Sequence, residues 1–262
     1  MPSNSPSQKK IALFLFAHQD DEVAVYSVIT RSLREEMRPI FLYFTSGNFQ
    51  GQDGEVRCAE TIAALHEFGV DRSQIYFIGN AQNVSDGELH LHLDLALSEA
   101  LRIVHSLQAE VVALYCPAWE GGHQDHDAVN LLTRILARKL ALQDAAWQAP
   151  FYHGQGLPGI LFKVLSPLVD NGPVRKLPIP VGDRLRYVQL CSMYKSQAKS
   201  WLGLLPFIVI DYLIDGTQKL QPVSGQERLW KPHPGPMLYE RRNFCKYDEF
   251  ERCAREFLNS HW

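Results

Sequence analysis

The stretch Ile11-Ala12-Leu13-Phe14-Leu15-Phe16-Ala17-His18-Gln19-Asp20-Asp21-Glu22 decides the fold. Its first seven residues form an unbroken apolar run of strand length, the pattern of a strand covered on both faces, and a polar cluster follows at once. Over residues 21–36 apolar side chains recur at Val25, Val28, Ile29 and Leu33, which is helical spacing. The same alternation continues outward. Residues 39–44 repeat the buried-strand pattern and end in the turn residues Thr45-Ser46-Gly47; residues 56–68 are helical and stop at Gly69. Residues 74–78 form a strand and 92–107 a helix, then 110–116 a strand closed by Pro117 and 128–142 a helix. Alternating elements of this kind predict an α/β fold with a mostly parallel sheet covered by helices on both faces. Beyond Trp147 the pattern weakens, leaving residues 183–199 and 247–258 as further helices.

Composition narrows the function classes. The 262 residues are 46% hydrophobic and 21% charged with a net charge of −3, which fits a globular chain and excludes disordered and fibrous classes. Nucleic acid is not an expected partner, because no excess of Lys and Arg is present to displace counterions. Residues 1–10 are polar and predicted to be a disordered tail, with residues 11–262 as one domain. The apolar run of residues 11–16 is too short for a signal core or a membrane span, so a cytoplasmic protein without a transmembrane segment is expected. Five scattered cysteines without a C-x-x-C pair suggest neither a disulfide framework nor a cysteine metal site. Oligomeric state is left open by these patterns.

In parallel α/β sheets ligands bind outside the carboxyl ends of the strands, where strand order reverses. Two polar clusters follow predicted strands, residues 17–22 and residues 121–127 (Gly-Gly-His-Gln-Asp-His-Asp). His18 and Asp21 are spaced to share one cation across a strand-to-helix turn. His123 and His126, three apart at a helix start, lie on one face with Cβ atoms about 5–6 Å apart, so that one or both complete the site. Two His and one Asp would leave a coordination position for water, as in catalytic zinc. Asp20, beside a ligand, is then free to act as a base. Taken alone, Asp20, Asp21 and Glu22 are explained by helix capping. Two His/Asp-dense clusters on one rim are not.

These motifs resemble the PIG-L, or LmbE-like, N-deacetylase family. Residues 17–22 are similar to its Ala/Pro-His-Pro-Asp-Asp-Glu motif and His123 to His126 to its His-x-Asp-His motif. Thr45-Ser46-Gly47, residues 57–60, residues 86–89 and residues 194–197 resemble secondary motifs, whereas the part from about residue 200 matches none. The resemblance implies a Rossmann-like three-layer fold and a hydrolase that removes an N-acetyl group from an N-acetylglucosamine-type amino-sugar conjugate, lipid-linked substrates included. It implies that His18, Asp21 and His126 bind Zn2+ or another divalent ion such as Fe2+. Asp20 is then the general base, and His123, in protonated form, the acid or oxyanion partner. Arg57 and Asp86 become sugar contacts. Spacing adds Asp125 as the group that orients a metal-binding imidazole. Gln19 and Gln124 stand where the family has proline, and Gly121 where some members have a tyrosine, so that either His123 acts alone or a tyrosine such as Tyr115 or Tyr152 approaches from elsewhere. Two alternatives share this pattern: a metal-dependent hydrolase of another amide or ester, and a non-catalytic sugar- or nucleotide-binding protein on the same fold.

Competing signals are weaker. Gly154-Gln155-Gly156-Leu157-Pro158-Gly159 spells a dinucleotide fingerprint but lies late in the chain and contains proline. Cys116 lacks the surroundings of a thiol nucleophile, and no G-x-S-x-G elbow is present. The sequon Asn83-Val84-Ser85 has no secretory signal beside it. Residues 201–214 form an apolar run interrupted by Gly203, Pro206 and Asp211, expected to pack in the core. Of the remaining histidines, His153 is the one expected to reach the pocket.

Overall fold

The computed structural model describes residues 10–48, 53–223 and 229–262. Residues 1–9 of the expected tail lie outside the described residues, whereas Lys10 already belongs to the first strand. The elements run β1 (Lys10–Phe16), α1 (Tyr26–Arg34), β2 (Arg38–Tyr43), α2 (Gly54–His66), β3 (Ile75–Phe77), α3 (Ile78–Gln82), α4 (Leu93–Ser106), β4 (Glu110–Pro117) and α5 (Gln124–Lys139). There follow β5 (Ala146–Ala149), β6 (Tyr152–His153), β7 (Lys163–Val164), β8 (Arg175–Pro178), α6 (Val181–Cys191), α7 (Ala198–Ile210), β9 (Thr217–Pro222), α8 (Leu238–Arg241) and α9 (Tyr247–His261).

A seven-stranded sheet has the order β3-β2-β1-β4-β5-β9-β8. Strands β1 to β5 are mutually parallel, while at one edge β9 pairs antiparallel with β5 and β8 antiparallel with β9. The period-two geometry of a strand splits β1 between two cores. Ile11, Leu13 and Leu15 pack under α4, α5 and α9; Ala12, Phe14 and Phe16 pack on the other face under α1, α6 and α7. Phe14 stacks on Phe41 and Tyr115 from the neighbouring strands, each at 5.0 Å between ring centroids. These are the three layers expected.

Chain order places the site. From β1 the chain moves outward through β2 to β3, then returns to lay β4 on the other side of β1, so strand order reverses between β1 and β4. The loops leaving these two strands face each other across the resulting crevice.

Three boundaries differ from the sequence reading. The first helix opens with a 3-10 turn over Asp21–Val25, and α5 begins at Gln124 rather than 128, with His123 as its N-cap. The single helix expected over 183–199 is two: α6 ends at Cys191, and after a short turn α7 starts at Ala198. The apolar run 201–214 forms most of α7 and the turn after it; Trp201, Ile208 and Tyr212 are buried, but Phe207 and Ile210 are each 52% exposed. No described helix is long and apolar enough to cross a membrane.

Candidate active site

The turn after β1 is built around Asp21. Its Oδ2 accepts hydrogen bonds from the backbone N–H groups of Ala17 and His18, both at 2.9 Å. That leaves Oδ1 facing His126 Nε2 at 3.0 Å and His18 Nδ1 at 3.8 Å. The donor atoms of His18, Asp21 and His126 all lie within 4.8 Å of one another. His18 turns its other nitrogen, Nε2, to Asp125 Oδ2 at 3.1 Å. Asp125 is itself held by the N–H groups of Gly87 and Leu89, at 2.5 and 3.1 Å. A buried carboxylate thus fixes the imidazole so that Nδ1 is the nitrogen available for a ligand.

The electrostatics suit a cation. Burial opposes ionisation of Asp21, yet His126 and His18 hold its carboxyl far below the usual range. Burial likewise opposes protonation of His18, but the carboxylates of Asp86, Asp125 and Asp21 raise its pKa well above the usual value. His123 behaves differently from the expectation of a protonated acid. Burial, reinforced by the charges of His18 and His126, lowers its pKa to about 3. Its Nδ1 accepts from Asp125 N–H at 3.2 Å, so the neutral ring carries its proton on Nε2 and is a hydrogen-bond donor there.

Asp20 occupies a positive-φ conformation (φ 134°), which is costly for a residue with a Cβ. Its Oδ1 lies 3.3 Å from Arg57 Nη2, and its Oδ2 accepts from Trp201 Nε1 at 3.0 Å. Burial raises its pKa against the opposing pull of Arg57. Glu22 supports the same turn: Oε2 accepts from Asp20 N–H at 3.2 Å and Oε1 from Tyr194 Oη at 2.5 Å. The two glutamines that replace proline hold their turns by side-chain bonds instead of a ring. Gln19 Nε2 donates to the Thr45 carbonyl at 3.0 Å, and Gln124 Nε2 to the Gly87 carbonyl at 3.3 Å.

Arg57 and Asp86 reach the same rim but engage each other. Arg57 Nη1 donates to Asp86 Oδ2 at 2.8 Å, while Asp86 Oδ1 accepts from Gly47 N–H at 2.9 Å. Glu60, one helical turn from Arg57, accepts instead from the Ser196 hydroxyl and N–H.

His18, Asp20, Asp21, Arg57, Asp86, His123 and His126 line a cavity of about 400 Å³, and Asp125 does not. The other wall of the cavity is apolar and comes from segments that carried no motif: Phe151, Tyr152, Phe162, Val164, Trp201, Leu204 and Phe244, joined by Arg242. The run of apolar residues from Trp201 was the one available signal for this wall. Tyr152 lies with its ring 5.6 Å from that of His126, whereas Tyr115 is stacked in the core on Phe14. Gly121 has no room for a tyrosine, since a Cβ there would meet Met237 Sδ at 2.2 Å. His153 does not line the cavity; its Nε2 meets the Ser166 carbonyl at 3.0 Å. The fingerprint-like loop wraps Arg241, whose Nη1 donates to the carbonyls of Gly154, Leu157 and Gly159. Cys116 is buried, and burial pushes its thiol up to about 12.

A mostly parallel sheet covered by helices, with a buried His-Asp-His cluster at its switch point, defines a three-layer α/β chain. Residues 13–137 match the PIG-L family, GlcNAc-PI de-N-acetylase. Among curated relatives the chain is similar to N-acetylglucosaminyl-phosphatidylinositol de-N-acetylase of Bos taurus, 27% identical over 125 residues, which cover 47% of this chain and 49% of the relative. The chain therefore spans about half the length of that relative. Its fold is shared with a triple mutant of a deacetylase of the teicoplanin biosynthetic pathway (TM-score 0.61, 16% identity, 82% of this chain and 98% of the other). It is shared too with N,N'-diacetylchitobiose deacetylase from Pyrococcus horikoshii (TM-score 0.55, 16% identity, 82% and 85% coverage).

Proposed function

We propose that this protein is a metal-dependent hydrolase, with Zn2+ as the ion and Fe2+ as the alternative, that removes the N-acetyl group from an N-acetylglucosamine-type conjugate. The observation that carries the reading is the convergence of His18, Asp21 and His126 on one point of a cavity that Asp20 and His123 also line. Ligand bonds of about 2.0–2.1 Å in a tetrahedral zinc site put donor atoms about 3.3–3.5 Å apart. The 3.0 and 3.8 Å separations from Asp21 Oδ1 to the two imidazoles bracket that value, so the donor set fits the ion. The amino-sugar substrate is supported by the activity named for the matched family and the bovine relative. An apolar cavity wall suits an apolar or lipid-linked aglycone, and five free cysteines suit a cytoplasmic enzyme.

A bound ion of this kind supplies an acidified water and a Lewis acid for the amide carbonyl. Asp20, held between Arg57 and Trp201, takes the proton of the attacking water and returns it to the leaving amine nitrogen; burial, by raising its pKa, strengthens it as a base. His123 donates from Nε2 to the developing oxyanion as a neutral imidazole. Arg57 and Asp86 orient the sugar from the cavity rim. Asp125 keeps His18 in its ligating tautomer.

The test is acetate release from a panel of N-acetylglucosamine conjugates, with metal content measured on the same preparations. Release from amino-sugar substrates but not from simple amides or esters is the expected result. Release only from non-sugar amides or esters favours the broader hydrolase, and binding without turnover favours a non-catalytic protein.

A further inference from the structure

We propose that Arg242 recognises an anionic substituent, phosphoryl or carboxylate, carried by the substrate beside its acylated sugar. This rests on the amino-sugar reading above and narrows it. Two arginines line the cavity among the described residues, and they differ in their state. Arg57 is neutralised by Asp86 and Asp20. Arg242 pairs with no carboxylate among the described residues; its guanidinium lies over the rings of Phe162 and Tyr152, at 5.0 and 5.9 Å from their centroids.

Its neighbour makes the contrast sharper. Arg241 is consumed by three carbonyls of the 154–159 loop, a structural task. Arg242 is the C-cap of α8, with its backbone N–H bonded to the Leu238 carbonyl at 3.0 Å, and its side chain lines the cavity. Stacking on two aromatic rings holds a guanidinium flat and sheds part of its water without using its N–H fork. A cation so placed has no carboxylate partner among the described residues, and a planar or tetrahedral oxyanion meets its donors in bidentate fashion. Sugar hydroxyls meet them less well, because hydrogen bonds between two charged groups are the stronger class. The carboxylates of the catalytic floor are already engaged, Asp20 and Asp86 by Arg57 and Asp21 by His126, so among the described residues lining the cavity Arg242 is the cation left to meet an anion.

The experiment measures equilibrium binding by calorimetry and acetate release for three ligands: methyl N-acetylglucosaminide, N-acetylglucosamine 1-phosphate and N-acetylmuramic acid. The proteins are the wild type, Arg242→Gln, Arg242→Lys, and Arg255→Gln as a charge-matched control at an exposed α9 position paired with Glu251. The expected result is that the wild type binds one or both anionic ligands at least tenfold more tightly than the neutral glycoside. Arg242→Gln brings that ratio close to one, Arg242→Lys restores part of it, and Arg255→Gln leaves it intact. The anion that shows the preference identifies the substituent. Equal binding of neutral and anionic ligands by the wild type, or a preference that survives in Arg242→Gln, overturns the proposal. Because binding is read apart from turnover, absence of acetate release from every ligand counts against the deacetylase reading alone.

Discussion

Removing any one of His18, Asp21 or His126 breaks a three-donor set, and three protein ligands are the minimum for a tight open site. His18→Ala, Asp21→Ala and His126→Ala are each expected to lower the stoichiometry from about one ion per chain, as read by elemental analysis after dialysis; full retention in all three refutes the assignment. Asp20 is bound to Arg57 and Trp201 rather than to the His cluster. Asp20→Asn is therefore expected to keep the metal and lose about 10²-fold or more in kcat, the usual worth of a general base. Arg57 is more than a sugar contact, because its buried guanidinium joins two carboxylates. Arg57→Ala leaves them unpaired and should cost about 3–5 kcal/mol in denaturant unfolding, with activity lost on sugar and non-sugar amides alike. Asp86→Ala should lower kcat/KM about tenfold on the amino sugar and far less on a small N-acetyl amide. Equal losses on both would make Asp86 a scaffold residue.

The elements that matter most are the loops that deliver α5 to the crevice. Asp127 Oδ1 accepts from the N–H groups of Glu120 and Gly121, at 3.1 and 3.2 Å, closing the turn in front of His123. Glu120 Oε1 accepts from Phe151 and Tyr152 N–H at 2.8 and 2.7 Å, tying that turn to the segment behind the apolar wall. Burial raises the Glu120 pKa from its ordinary value near 4.5 to about 8. The folded state then holds this proton more tightly than the unfolded state. Its contribution to stability is complete below about pH 4.5 and is lost as pH rises through about 8. Glu120→Gln keeps an acceptor for both amides and removes the titration, so its urea midpoint should fall less than that of the wild type between pH 5 and pH 8. Gly122 is a second constraint, since a Cβ there would lie 1.9 Å from the Tyr152 carbonyl oxygen. The first four parallel strands were legible because each is an apolar run bounded by turn residues. Strands β8 (Arg-Lys-Leu-Pro) and β9 (Thr-Gln-Lys-Leu-Gln-Pro) were not, because short mixed edge strands carry no periodicity that separates them from loop.

On the scale of the whole molecule, the part from about residue 200 that resembled nothing is built into both cores. Phe250, Ala254, Phe257 and Leu258 of α9 pack under the sheet, and Leu220 of β9 joins the opposite cluster. Burying side chains of this kind is worth about 1.5–3 kcal/mol each, against a total stability of about 5–15 kcal/mol. A chain ending at residue 245 is accordingly expected to lose cooperative thermal unfolding and near-UV dichroism; retention of a sharp transition would show α9 to be dispensable. The sequence by itself determined the α/β class, the alternation of the first four strands and helices, and the identity of the His and Asp residues that meet at the crevice. Those features are written in local periodicity and in residue types after strand ends. Only the tertiary structure decided their company: His18 beside Asp125, 107 positions away, Asp20 against Trp201, Arg57 spent on two carboxylates, and Arg242 on the cavity wall. Strand order and the burial of two separate cores bring these groups together, and no local pattern encodes a contact that depends on where the rest of the chain has packed.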